Sequence, residues 1–164
     1  MTAYDAAEWT DLFVATAGAS AALAGLVFVA VSINIERILQ FEGLPERALE
    51  TVLLLLGVLL ASIIALAPGL SREALGALLL GEALVVGALI WRLPWRTGTQ
   101  GVEPHLWALS RLGVRAAGTV PFVVGGISIL ADGGGGLYWI LAGVLGAFVG
   151  AVANAWVLLV EILR

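Results

Sequence analysis

The sequence predicts an all-α protein, a single domain made of five transmembrane helices, and three observations predict it. Hydrophobic residues make up 61% of the 164 residues and charged residues only 12%, where soluble domains carry about a quarter charged. The apolar residues gather into five runs, each long enough to cross about 30 Å of hydrocarbon at about 1.5 Å per residue. The arginines crowd to one side of that five-span arrangement, as the positive-inside rule requires of a cytoplasmic face. In hydrocarbon the runs must be helices, because an open strand would leave its backbone groups unpaired.

The first span covers about 12–35, and its helix is expected to continue as far as Gln40. The stretch before it, MTAYDAAEWTD, carries Asp5, Glu8 and Asp11 and no arginine. A signal peptide needs a positive start, so this span is expected to stay in the mature chain. The second span covers about 48–66 and is closed by Pro68, and the third covers about 73–91. The segment 93–111 is mixed. TGTQG reads as a break, and Pro104 suits the first turn of a helix. His105, Leu106, Trp107 and Leu109 then suggest a short interfacial helix over 104–111. The fourth span covers about 112–131, with Pro121 and Gly125–Gly126 expected to interrupt and bend it. ADGGGG (131–136) is a tight connection, and the fifth span covers about 137–163.

With this count, Arg37, Arg47, Arg92, Arg96, Arg111, Arg115 and Arg164 share one side, and only Arg72 lies on the other. The prediction is an outside N-terminus and a cytoplasmic C-terminus. Trp9 and Trp139 fall at the outer boundary and Trp91, Trp95 and Trp107 at the inner one, where amphipathic rings anchor a helix.

Helical spacing sorts the faces. Gly143, Gly146, Gly150, Asn154 and Glu161 align on span five, and Gly18, Ala22, Gly25, Ser32 and Glu36 on span one. Small residues let helix backbones approach closely, so both glycine stripes are candidate packing faces. The two stripes repeat one spacing, 18–25–36 and 143–150–161, each ending in a carboxylate. Glu36 and Glu161, with Arg37, are candidates for a charged cytoplasmic mouth. Thr16, Ser20 and Asn34 lie on the opposite face of span one and are the candidate pore-lining residues; hydroxyls also bond back to their own helix.

Glu82 is the outstanding residue. It stands inside LLLGEALVVG (78–87), ten residues from Arg72, near the middle of the bilayer. An ionised carboxylate there costs a few kcal/mol or more, about 2.5–3.5 on insertion scales. It must be protonated, paired or wet. No arginine is placed at its depth, so Asn154, Ser62 and Ser128 are its candidate polar partners. The helical wheel puts Glu82 with Leu75, Leu78, Leu79, Val86 and Leu89 and turns Gly76, Gly81 and Gly87 elsewhere. Other helices or a second subunit must cover that face.

Cysteine is absent, which excludes disulfides and thiol chemistry, and one histidine cannot build a histidine metal cluster. There is no phosphate-binding glycine loop and no recognisable nucleophile–base pair, so neither an enzyme nor a cofactor is expected. A net charge of −4 without a basic cluster speaks against nucleic acid.

The segments ATAGASAALAGLVFVAVSINIERIL (15–39), GLPERALETVLLLLG (43–57), GLYWILAGV (136–144) and NAWVLLVEILR (154–164) resemble a group of small actinobacterial integral membrane proteins. Some of these carry the label "modulator of FtsH protease". The resemblance implies a multi-pass protein of the bacterial cytoplasmic membrane and, as a partner, a larger membrane complex such as a protease. It brings no residue roles. The residues themselves lead to a homo-oligomeric, lipid-embedded protein that conducts a small ion or protons; the alternative is a non-enzymatic accessory subunit.

Overall fold

The computed structural model describes residues 2–94 and 104–163, and the side chains within 3–94 and 111–158. The described residues form helices and turns without a strand. After two short 3-10 turns come α1 (Thr10–Ile33), α2 (Ile35–Ile38), α3 (Leu44–Leu66), α4 (Arg72–Arg92), α5 (Pro104–Leu130) and α6 (Leu137–Leu163). Five of them are long and apolar enough to cross a membrane, and α2 is a single turn.

Each boundary has a local cause. Asn34 leaves helical geometry, with φ −109° and ψ 16°, and its amide bonds back to the Ala30 carbonyl. The first helix therefore stops at Ile33 rather than running on to Gln40. Helix α3 starts four residues before the sequence suggests, because Pro45 takes the first turn, where no N–H is needed. Ser71 caps α4 by accepting from the Ala74 N–H. The interfacial helix expected over 104–111 is not separate: the backbone from Pro104 runs unbroken into the fourth span. Nothing between 104 and 112 ends a helix. The side chains of His105 and Trp107, like Trp95 and Arg96, lie outside the described residues.

Helices α3, α4, α5 and α6 close into a ring, each packing on the next and α6 returning to α3. Neighbours are antiparallel, so this is an up-and-down four-helix bundle. Its core runs through Leu54, Val58, Leu79, Ala83, Phe122, Ile140, Val144 and Ala147. Helix α1 lies outside the ring against α3. Phe13, Thr16 and Ser20 are its buried residues, and Thr16 and Ser62 share a 2.9 Å hydroxyl–hydroxyl hydrogen bond across the contact.

The small residues of span five and span one meet opposite fates. On α6, Gly143 lies against the Phe122 ring and Gly150 against Val114. Gly146 lies against the Ala117 carbonyl, so closely that a Cβ would collide with it. That carbonyl is the one whose intrahelical partner would be the N–H of residue 121. Residue 121 is proline and has none. On α1, by contrast, Gly18, Ala22 and Gly25 face outward, with open space around both glycines. The packing role expected of them within the bundle is therefore corrected. The small hydroxyls of Thr16 and Ser20, with Phe13, form the contact instead. The repeated spacing is not a repeated structure either, since the break at Asn34 separates Glu36 from the helix of Gly25.

Opposite the arginine-rich end, the chain turns tightly at 131–136. Asp132, Gly134, Gly135 and Gly136 all have positive φ, between 52° and 111°, which glycine adopts at no steric cost and aspartate visits as a single residue. Ser128 stitches the turn, accepting from the Gly136 N–H at 2.7 Å and donating to the Gly133 carbonyl. The N-terminal segment folds over this end: Tyr4 accepts from the Gly135 N–H at 3.2 Å, and Trp9 meets Tyr138 edge to face at 4.9 Å.

Candidate functional site

Helix α4 has 21 residues, and Glu82 is its midpoint, ten from either end. Its neighbours come from within one chain. Glu82 lines a cavity with Leu54 and Gly57 of α3, Ala83, Val86 and Gly87 of its own helix, and Gly118, Thr119 and Phe122 of α5. The carboxyl group is aimed at Gly57: a Cβ there would stand 3.5 Å from Glu82 Oε1. A methyl group at 57 would be in ordinary van der Waals contact with the carboxyl and would press more closely on Val86, at 3.3 Å. The cavity offers about 10 Å³ to the centre of a water molecule, room for about one. Glu82 itself is half-buried. The α4 face differs in detail from the helical wheel: Gly76 and Gly87 point inward, Gly76 beneath Ile129 and Leu130 and Gly87 at the cavity wall.

Thr119 supplies the one hydroxyl in the cavity lining. It donates to the Arg115 carbonyl at 2.7 Å and accepts from the Trp91 indole N–H at 3.2 Å. Its hydrogen is thereby used, and one lone pair remains.

One helical turn toward the arginine-rich end, on both α3 and α5, the character of the bundle changes. Leu54 gives way to Glu50 and Thr119 to Arg115, and these two are fully buried and bonded to each other. Arg115 reaches Glu50 Oε2 with Nε at 3.0 Å and NH2 at 2.9 Å. Arg111, 4% exposed, comes within 3.6 Å of the same oxygen. Asn154 of α6 donates to Glu50 Oε1 at 3.4 Å. Arg115 also donates to the Leu93 carbonyl at 3.4 Å, past the end of α4. The cluster joins all four helices of the ring across its centre. Leu54, pressed against Gly118, separates it from the cavity above.

The polar residues expected around Glu82 are therefore dispersed. Asn154 pairs with Glu50, because α6 packs on α5 and α3 and not on the Glu82 face of α4. Ser62 pairs with Thr16 at the α1–α3 contact. Ser128 holds the 131–136 turn. Thr16 and Ser20 are buried in a helix contact rather than placed along an open passage, and half-buried Asn34 bonds to its own helix. Glu36 and Arg37 are exposed on α2, and the Glu161 side chain lies outside the described residues. Glu50, Arg111, Arg115 and Thr119 form no part of the expected site. A signal for the first three did exist: an acid within span two and a pair of arginines one turn apart at the start of span four, at similar depth.

A wider groove of about 440 Å³ between α5 and α6 is lined by Gly113, Ala117, Gly146, Val149 and other apolar side chains, and presents no titratable group. No group of three or more potential metal-binding side chains occurs among the described residues. Comparison with protein-family models, with curated proteins and with solved structures finds no match.

Proposed function

We propose that the protein is an integral membrane protein that conducts protons or a small ion, with Glu82 as the working group. The observation that carries this reading is a carboxyl group at mid-helix, facing a water-sized cavity between three helices of one chain. Ionisable residues kept in such surroundings are costly and mark ion or proton pathways. The buried Glu50–Arg115 pair lies one turn further toward the arginine-rich end, with Leu54 between it and the cavity. Purified protein in liposomes tests the reading, with flux followed by a trapped pH dye or by potential-driven ion uptake. Glu82→Gln is expected to abolish flux without changing the helical circular dichroism. Equal flux in the two proteins would remove Glu82 from the function.

A second reading is an accessory subunit of a larger membrane complex, such as a membrane protease, and the outward face of α1 favours it. Gly18, Ala22 and Gly25 present small residues away from the bundle, the kind of surface on which another membrane helix packs closely. A stoichiometric foreign protein recovered with the chain from native membranes, together with no flux in liposomes, would select this reading.

A further inference from the structure

The donor set around Glu82 narrows what the site handles. We propose that Glu82 binds and releases a proton rather than a metal cation, through a single water held between its carboxyl group and the Thr119 hydroxyl. The inference rests on Glu82 as the working group and names its substrate.

Two features carry it. The first is the number of oxygens. Hard cations take six or more oxygen ligands, with waters filling what the protein does not supply. The side chains lining this cavity offer three oxygens, two from Glu82 and one from Thr119, and the rest of the wall is Leu54, Val86, Phe122, alanine and glycine. Room for about one water leaves no space for a hydration shell to complete the set. The second is the polarity of Thr119. Its hydroxyl hydrogen is committed to the Arg115 carbonyl and one lone pair to Trp91, so toward the cavity it can only accept. A water donating one hydrogen to Thr119 keeps its other hydrogen and its lone pairs for Glu82. It accepts from the carboxylic acid or donates to the carboxylate, so both protonation states are satisfied without rearrangement. On release, the carboxyl O–H bond breaks. The water takes the proton as hydronium, leaving a carboxylate, and the hydronium leaves the cavity as another water takes its place.

The groups facing Glu82 leave this equilibrium to the carboxyl itself. Leu54 and Gly57 from α3, and Gly118, Thr119 and Phe122 from α5, carry no charge. The nearest charged groups on those helices are Glu50 and Arg115, which are engaged with each other.

Dicyclohexylcarbodiimide, which partitions into bilayers and reacts with a protonated carboxyl group, tests the inference on the full chain in vesicles. Glu82→Gln identifies the labelled site by mass. Labelling of Glu82 is expected to fall about tenfold per pH unit above its midpoint, as for a single titrating proton. At fixed pH it is expected to run at one rate in sodium, potassium, magnesium or choline chloride. Slower labelling in any of the metal salts would overturn the inference, and so would no labelling of Glu82 at any pH. The flux comparison answers separately. Lost flux in Glu82→Gln with cation-protected labelling keeps conduction and discards the proton. Unchanged flux with salt-independent labelling keeps the proton site and discards conduction.

Discussion

Removing the Glu50 carboxylate would leave Arg115 charged and fully buried, because the guanidinium has no route to water. Breaking a buried ion pair from one side costs about 3–5 kcal/mol, whereas replacing both partners by apolar groups can be close to neutral. Glu50→Gln is therefore expected to destabilise the bundle by about that amount in SDS titration of mixed micelles. Adding Arg115→Met to the same chain is expected to recover part of the loss, Arg111 remaining charged beside residue 50. A cost under about 1 kcal/mol, the range of exposed pairs, would mean that the cluster is wet. This pair was hard to read from sequence for a definite reason. Arginines at span ends are ordinarily anchors, and counting Arg111 and Arg115 as anchors hides that they turn inward. Their partner lies on a different helix, 65 residues from Arg115, and no local pattern states the distance. Glu82, by contrast, was legible at once, because a lone acid at the centre of an apolar run has no ordinary explanation. Its surroundings were not legible. Its approach to Gly57 and the hydroxyl of Thr119 depend on which helices adjoin α4.

Between elements, the decisive contact is the approach of α5 to α6. Pro121 removes a donor from α5, and Gly146 makes room on α6 for the Ala117 carbonyl left without that donor. A side chain at 146 must push the helices apart, and overpacking of this kind costs typically about 1–3 kcal/mol. Gly146→Val is expected to lower stability in detergent by at least that much. Gly18→Val, where a side chain would meet open space, is expected to stay within about 0.5 kcal/mol of the parent. Equal losses at the two positions would show that the α1 stripe is packed after all. The helices themselves were readable from hydrophobicity and from Pro45, Pro68 and the glycine-rich turn. Which small face turns inward was not. In lipid an apolar side chain gains little by leaving the surface, so periodicity alone cannot separate the stripe of α6 from that of α1. The hydroxyls settled it: Thr16 meets Ser62, and the glycines of α1 are left on the other side.

At the scale of the whole molecule, five successive antiparallel helices place the chain ends at opposite ends of the bundle, and the charges at those ends differ. The end formed by α2, the start of α3 and the close of α4 carries Arg37, Arg47 and Arg92, with Arg111 and Arg115 at the same level of α5. The other carries Arg72, which pairs with Asp132 across the connection between α5 and α6. An arginine costs more to translocate than to leave in the cytoplasm. The arginine-rich end should therefore be cytoplasmic and the N-terminus outside. Because the chain has no cysteine, single cysteines report this without background. Glu8 and Gln40 are both exposed and lie at opposite ends. In intact bacterial cells, Glu8→Cys is expected to react with a membrane-impermeant maleimide, and Gln40→Cys only after the membrane is opened. Reaction of both from outside would contradict five crossings. The reverse pattern would keep the fold but invert it. The buried Glu50–Arg115 cluster would then lie toward the outside and the 131–136 turn toward the cytoplasm.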